Sequence, residues 1–561
     1  MTGFPHCRHR RVNLAFWLLG LGSLLWLLVR SGSNPRRLAY PCQQAAAVSG
    51  MAFLGHAVAV LGLAGLYRFL RRHTTLTTAA VLGLTLVLVV ALTGSGVRPS
   101  TASAPGVRGL PSWTSPTAIS DVFAVENVPV PECSLDGGTL PATPPCDDPA
   151  YALSDAGVDQ LLDVMEAHGE FLHRTSSQPD GLIGPDAVVI VKINNQWAQN
   201  GTGDGVGRLA TNTDVLKGLV WRILQHPDGF TGEVVVAENI QESGAGGWNW
   251  TPANAEDREQ SIQDVVTAFQ GLGYPVSIFD WNPLNYSLIS GGSVGGAGYP
   301  AGEYAHGNMA NAYILLEDPD ASGADELSYP KFRTQGGTYV SMRYGVWTGS
   351  TYDAGSLVLV NLPVLKAHGM AGGTIAWKNL IGFITTFDTD RRFPGADSWG
   401  EMHDYFWGYA GGVNQSYGLL GRQLARIRVP DLNLVDAIWV ADDNYNGNAN
   451  RQDVLLASRD PFALDWYASE YVLYPAIPWP WQDVSAARAG MFRNATRTNQ
   501  NSAAAEWPGG AFPYMDLLDS YDGDTPSDDE KNQMNVYLGG DAIFADGFES
   551  GDTSAWSATV P

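Results

Sequence analysis

The chain has 561 residues, 57 of them acidic against 33 Lys and Arg, for a formal net charge of −24. That length has room for two or three domains. Residues 1–99 hold ten Arg and no acidic residue, so the rest is more acidic still and repels nucleic-acid phosphates and anionic lipid, which excludes nucleic acid as a partner.

Three apolar segments open the chain, from about Val12 to Val29, Ala45 to Tyr67 and Leu76 to Thr93, each 18–23 residues long. That suffices to cross a bilayer. The first also has the length of a signal peptide, but no small-residue cleavage site follows it and two more segments do. The reading is a membrane anchor over residues 1–96 with about three transmembrane helices. Six Arg on one side against five on the other weakly favour a cytoplasmic N-terminus. With three spans the large acidic body then lies outside, which places the protein in a bacterial inner membrane, multi-pass, with the membrane as an integral partner.

Residues 97–150 are rich in Pro, Ser, Thr and Gly and read as a linker. Cys133 and Cys146 lie in it, and a disulfide closing this short loop suits an oxidising compartment; two free thiols are the alternative. No C-x-x-C occurs, so no cysteine-ligated iron–sulfur cluster is expected.

An α/β domain is predicted over residues 151–498. Ser154 is placed to cap a helix running to about His168, with Val158, Leu161, Leu162 and Met165 on one face. Ala187–Val191, Glu233–Ala237 and Val276–Phe279 read as buried strands. Helices over Asp214–Gln225, capped by Thr213, and Glu256–Gln270, ended by Gly273, separate them. This β-α-β-α-β order predicts a mostly parallel sheet with flanking helices. Residues 281–355, rich in Gly, Tyr and Asn, read as a loop-rich insertion that could wall a site.

The pattern resumes in SLVLVNLPVLKAHGMAGGTIAWKNLIGF (Ser356–Phe383). An apolar strand ends at Pro363, Lys366 and His368 follow, and a Gly-rich turn (Gly369, Gly372, Gly373) leads to a helix over Thr374–Phe383 with Lys378 and Asn379. Further helices are expected over Ser416–Ile427 and Asp460–Leu473, the second with Pro461 at its first position, and a strand over Val435–Val440. Residues 499–561 read as an acidic, loop-rich C-terminal region and tail.

Parallel strands deliver their C-terminal tips to one edge, where open α/β sheets bind ligands. The tips here offer Lys192, Asn194 and Asn195; Glu238 and Asn239; Lys366 and His368; Asp442 and Asp443. Together these groups could bind an anionic group, a metal, or both, and a lysine beside a carboxylate in a partly dry cleft can serve as base or nucleophile. Lys366, His368, Lys378 and Glu238 are the candidate catalytic residues. Lys192, Asn194, Asn379 and His403 are candidates to hold a ligand. His306 and His403 are also readable as satisfied structural histidines. The loop DDNYNGNANRQD places Asp442, Asn444, Asn446, Asn450 and Asp453 at calcium-loop positions with Gly447 at position 6, so calcium is a candidate ion. Two carboxylates are few for such a loop, and the competing reading makes Asp442 and Asp443 acidic members of the strand-tip cluster. No other cofactor is legible: there is no P-loop, no G-x-S-x-G, no H-E-x-x-H and no G-x-G-x-x-G placed after a strand.

VVIVKINNQW, EVVVAEN, LVNLPVLKAHGMAGGTIAWKNLIGF, LNLVDAIWVADD and SRDPFALDWYASEYV together resemble the bacterial and archaeal family called domain of unknown function 362. Its most specific element is carried by Leu362, Pro363, Leu365, Lys366, His368, Lys378, Asn379, Leu380 and Gly382, and a second by Asp460, Pro461, Ala463 and Asp465. The likeness runs from about Pro185 to Val472. It implies an α/β fold and no agreed reaction. Many relatives carry ferredoxin-type cysteine clusters, which this chain lacks, so a redox role does not transfer. DAIFADGFESGDTSAWS (Asp541–Ser557) is similar to short C-terminal tails of exported proteins of Gram-negative bacteria. These readings leave an extracytoplasmic enzyme acting on a small anionic substrate, a non-catalytic ligand- or metal-binding module of the cell envelope, and a calcium-stabilised structural domain.

Overall fold

In the computed structural model the described residues are 109–195, 208–239, 247–249, 260–281, 288–289, 303–307, 312–316, 327–368, 372–383, 419–443, 447–478, 491–508, 510–517 and 528–539. The three N-terminal apolar segments, His403, Asn444, Asn446 and the tail from residue 541 lie outside them, as does the side chain of His306. Among the described residues no helix is long and apolar enough to cross a membrane.

A strand inside the expected linker comes first: β1 is Ser120–Val125, buried along nearly its whole length. After a short helical turn at Pro149–Leu153, helix α1 spans Ala156–Ala167. Its cap is Asp155, accepting from Val158 N, and not the expected Ser154, which instead closes the preceding turn. Two βα units and a third strand follow: β2 (Val188–Ile193), α2 (Thr213–Leu224), β3 (Glu233–Glu238), α3 (Ile262–Gly271) and β4 (Val276–Asp280). The cap of α2 is Asn212, one residue before Thr213, and α3 starts from a Ser261/Asp264 capping box, later than the Glu256 expected.

The segment expected to be loops is a second sheet. Strands β5 (Leu288–Ile289), β6 (Glu303–Gly307), β7 (Ala312–Leu316), β8 (Leu327–Arg333), β9 (Tyr339–Ser341), β10 (Gly345–Trp347) and β11 (Tyr352–Asp353) pair in chain order as an antiparallel meander. Phe332 and Val340 are buried in the same apolar cluster as Trp281 and Trp377. Then come β12 (Leu357–Leu362), β13 (Val364–His368), β14 (Gly372–Thr374) and the short helix α4 (Ala376–Asn379), which runs into a 3-10 turn at Leu380–Phe383. Here too the structure departs from expectation. Pro363 does not end the extended run, and the Gly-rich stretch turns back as β14 onto β13, with Lys366 opposite Thr374. Gly372 holds φ +78°, a left-handed value that suits glycine.

Helix α5 (Leu419–Arg426), β15 (Leu432–Ala441), β16 (Ala449–Ser458), α6 (Pro461–Ala468), α7 (Met491–Glu506) and β17 (Met534–Gly539) complete the described chain. Asp460 caps α6, accepting from Phe462 N and Ala463 N, with Pro461 in the first turn as expected.

The main sheet runs β17-β1-β16-β15-β12-β2-β3-β4, with β13 and β14 attached at β15. Strands β4, β3, β2, β12 and β15 are mutually parallel, and β16 is antiparallel to both its neighbours. Val189, Val191, Val234 and Val236 pack with Val158, Leu216, Leu219 and Phe269 of α1, α2 and α3. On the opposite face Ile190, Val235 and Leu359 pack with Trp377 and Phe462 of α4 and α6. Both faces are covered, which is why these strands read as unbroken apolar runs. The chain leaves β2 toward β4 on one side and returns as β12 on the other. The strand order therefore reverses between β2 and β12, the place where open α/β sheets form a crevice.

The disulfide between Cys133 and Cys146 is formed, with a Cα–Cα separation of 5.6 Å.

Candidate functional site

Side chains from β2, β3, β13 and α4 meet at that reversal. Lys192 is the penultimate residue of β2 and Glu238 the last of β3. Lys192 Nζ donates to Glu238 Oε1 at 2.8 Å and Oε2 at 3.0 Å, to Ile193 O at 2.9 Å and to Asn379 Oδ1 at 3.2 Å. Glu238 also accepts from Asn239 N at 2.8 Å and Asn195 N at 3.2 Å. Asn194 Nδ2 donates to Asn379 Oδ1 at 2.9 Å, and Lys366 Nζ donates to Asn194 Oδ1 at 3.0 Å and to Leu209 O at 2.5 Å. Lys192 and Lys366 are thus separated by two side-chain amides.

Asn379 is itself fixed, since its Nδ2 donates to Asn361 Oδ1 at 2.9 Å. Asn361 Nδ2 in turn donates to Ala376 O at 2.7 Å and to Asn433 Oδ1 at 2.9 Å. This amide chain crosses β12 and β15 and orients the site from below. Asp465 of α6 accepts from Ala376 N at 2.7 Å and so holds the start of α4. The element Asp460-Pro461-x-Ala463-x-Asp465 is therefore the strut that fastens the lysine-bearing helix α4. Gly382 brings backbone against the ion pair: a Cβ there would stand 2.6 Å from Glu238 Oε1 and 2.8 Å from Lys192 Nζ.

The electrostatics follow from burial. Glu238 is 1% exposed, and burial pushes its carboxyl up against the opposing charge of Lys192. Both its oxygens only accept hydrogen bonds, which is the pattern of an ionised carboxylate. Burial likewise pulls the Lys192 amine down while Glu238 pulls it up. We read the pair as ionised, because the bidentate contact and two backbone N–H groups satisfy the carboxylate. Lys366 and Lys378 have no such carboxylate in salt-bridge range among the described residues. Burial first, then the charges of Lys378 and Lys192, brings Lys366 to about 7, opposed by Glu238 and Asp443. Burial first, then the charge of Lys192, brings Lys378 to about 7 as well. Lys378 is 7% exposed and its Nζ makes no hydrogen bond to a described residue.

Lys192, Asn194, Glu238, Lys366 and Asn379 are thus in one hydrogen-bonded network, and Lys378 lies beside it within Coulombic reach. His368 ends β13 and is 3% exposed. Of the candidate calcium residues, the described Asp442 and Asp453 stand apart. Residues 449–458 are strand β16, so Asp453 lies four strand residues beyond the hairpin end, roughly 13 Å along the strand from the Asp442 end. Asp453 Oδ1 is taken by Arg451 Nε at 2.5 Å, and Asp442 Oδ1 by Asn448 N at 2.6 Å. The segment Asp442–Asp453 thus runs from the connection after β15 into β16. Among the described residues no group of three or more His, Cys, Asp or Glu is placed to hold a metal.

Sequence reasoning missed Asn361, Asn433 and Thr211, whose Oγ1 donates to Leu362 O at 3.1 Å and accepts from Asn194 N at 2.8 Å. For the two asparagines a signal existed: each is a lone amide within an apolar strand, and a buried amide needs partners.

Comparison with known proteins bears on this segment. Residues 350–470 match the model of the domain of unknown function 362. The matched segment holds β12, β13, α4, β15, β16 and α6, hence Lys366, His368, Lys378, Asn379 and Asp465, while Lys192 and Glu238 precede it. It is narrower than the resemblance read from the sequence. The chain is also 29% identical over 115 residues to a thylakoid-associated protein of Synechocystis sp., which covers 20% of this chain. The chain spans 32% of the length of that curated relative. No solved structure matches the chain.

Proposed function

We propose that this is a membrane-anchored, extracytoplasmic α/β protein that binds and acts on a small anionic molecule at the β2/β12 reversal. The observation that carries this reading is a pair of buried lysines, Lys366 and Lys378, with no salt-bridge carboxylate among the described residues. A buried cation without a counter-charge is unfavourable, and a bound carboxylate or phosphate group supplies that charge. The Cys133–Cys146 disulfide supports an oxidising compartment. The three apolar segments support the anchor, and the thylakoid-associated relative is in keeping with life at a membrane.

Sulfate tests the reading, because it keeps its charge across the working pH range. An anion raises the pKa of both lysines. Binding to full-length protein in detergent at pH 8 is therefore expected to take up protons, seen as a buffer-dependent enthalpy in titration calorimetry. Uptake should vanish below about pH 6, where both amines already carry their protons, and affinity should fall as pH rises above 7. Lys366→Met removes a charge-assisted hydrogen bond, so about a 10- to 100-fold loss of affinity is expected. Absence of binding, or binding with no proton uptake at pH 8, would overturn the anion site.

A further inference from the structure

The three lysines at the reversal differ in their acceptors. Lys192 Nζ has both Glu238 oxygens, Ile193 O and Asn379 Oδ1. Lys366 Nζ has Asn194 Oδ1 and Leu209 O. Lys378 Nζ has no hydrogen bond to a described residue, although its side chain is only 7% exposed. An ammonium holds three donors, and at Lys378 none of them meets a described acceptor. The neutral amine presents a lone pair. A fixed cation nearby, here Lys192, further disfavours the charged form of Lys378. A desolvated lysine beside a second cationic group is one way proteins obtain an amine nucleophile at neutral pH.

We propose that Lys378 is a nucleophile that condenses with the carbonyl carbon of a small aldehyde or ketone bearing an anionic group, while Lys366 holds that group. The inference rests on the anion-site reading above. The Nζ lone pair forms the C–N bond, and the carbonyl π pair moves to oxygen, which takes a proton. Nitrogen gives up one proton to form the neutral carbinolamine, the hydroxyl leaves as water with a second proton, and the iminium nitrogen gives up its remaining proton to yield the imine. One water is released and nothing is oxidised or reduced. The Lys192–Glu238 pair is the adjacent acid–base couple that lends and recovers these protons.

The test uses full-length protein, pyruvate as the anionic ketone and acetone as its neutral counterpart, with borohydride to reduce any imine to a stable secondary amine. Peptide mapping of wild-type protein should place the pyruvate adduct on Lys378, with far less label from acetone, and sulfate should compete. Lys378→Met should lose the adduct, and Lys366→Met should weaken it toward the acetone level. An adduct spread over other lysines, or unchanged by Lys378→Met, would overturn the proposal. Sulfate binding with no adduct would overturn the imine chemistry and leave the anion site standing. Loss of both would end both readings.

Discussion

Lys378→Met is expected to stabilise the protein at pH 6 and to do so progressively less as pH rises toward 10. The sign follows from linkage. The Lys378 amine titrates near 7 in the folded protein, whereas an exposed lysine in the unfolded chain titrates near 10.4. Between these values the unfolded chain holds more protons, so stability rises with pH. Below pH 7 the penalty for burying the charge is present in full, on the order of 3–5 kcal/mol. Methionine keeps the apolar stem and removes the charge. Because Lys378 Nζ makes no hydrogen bond to a described residue, no other described contact is broken. The difference between variant and wild type, measured by denaturant unfolding at pH 6 and pH 10, cancels the contributions of other titrating groups such as Asp465, which burial pushes up strongly. Stability lost at pH 6, or a difference independent of pH, would contradict a buried charge penalty at Lys378.

Glu238→Gln is expected to destabilise the fold by roughly 3–5 kcal/mol at pH 7, because it leaves Lys192 buried without its counter-ion. Lys192→Met should cost a similar amount by stranding Glu238. The double variant Lys192→Met with Glu238→Gln removes both charges and should cost less than the sum of the singles by more than about 1 kcal/mol. The same unfolding measurement decides this, and additive losses would show that the two groups do not act as a pair.

The parallel core was legible because its strands are buried on both faces and therefore carry continuous apolar runs. The run Val188–Val191, the helix carrying Leu216 and Leu219, and Leu357–Leu362 all fell close to their predicted places. So did Lys192 and Glu238, since strand polarity fixes which end they occupy, whereas Lys366 lies inside β13 and not just beyond the end of a strand. What was not legible depends on partners distant in sequence. β1 sits in a Pro- and Gly-rich stretch and is held by β16 and β17, more than 300 residues away. β5 to β11 are two to seven residues long, too short for a period-2 pattern to emerge between glycines. The Asp442–Asp453 spacing is ambiguous because ligand order along a chain does not distinguish a coiled loop from a hairpin. Asp460 and Asp465 were recognised from a motif, but their work as helix cap and strut to α4 is visible only once α6 is packed.

The protonation state of Lys366 and Lys378 underlies the anion site and its amine chemistry alike. The chain has six lysines, so a 13C-labelled sample gives few side-chain Cε resonances to follow through a pH titration by NMR. Two resonances, assigned by loss in Lys366→Met and Lys378→Met, should titrate near pH 7. In the Lys378→Met protein the Lys366 midpoint should move up, since the charge of Lys378 is one cause of its depression. All six resonances remaining in the ammonium form through pH 9 would contradict the site.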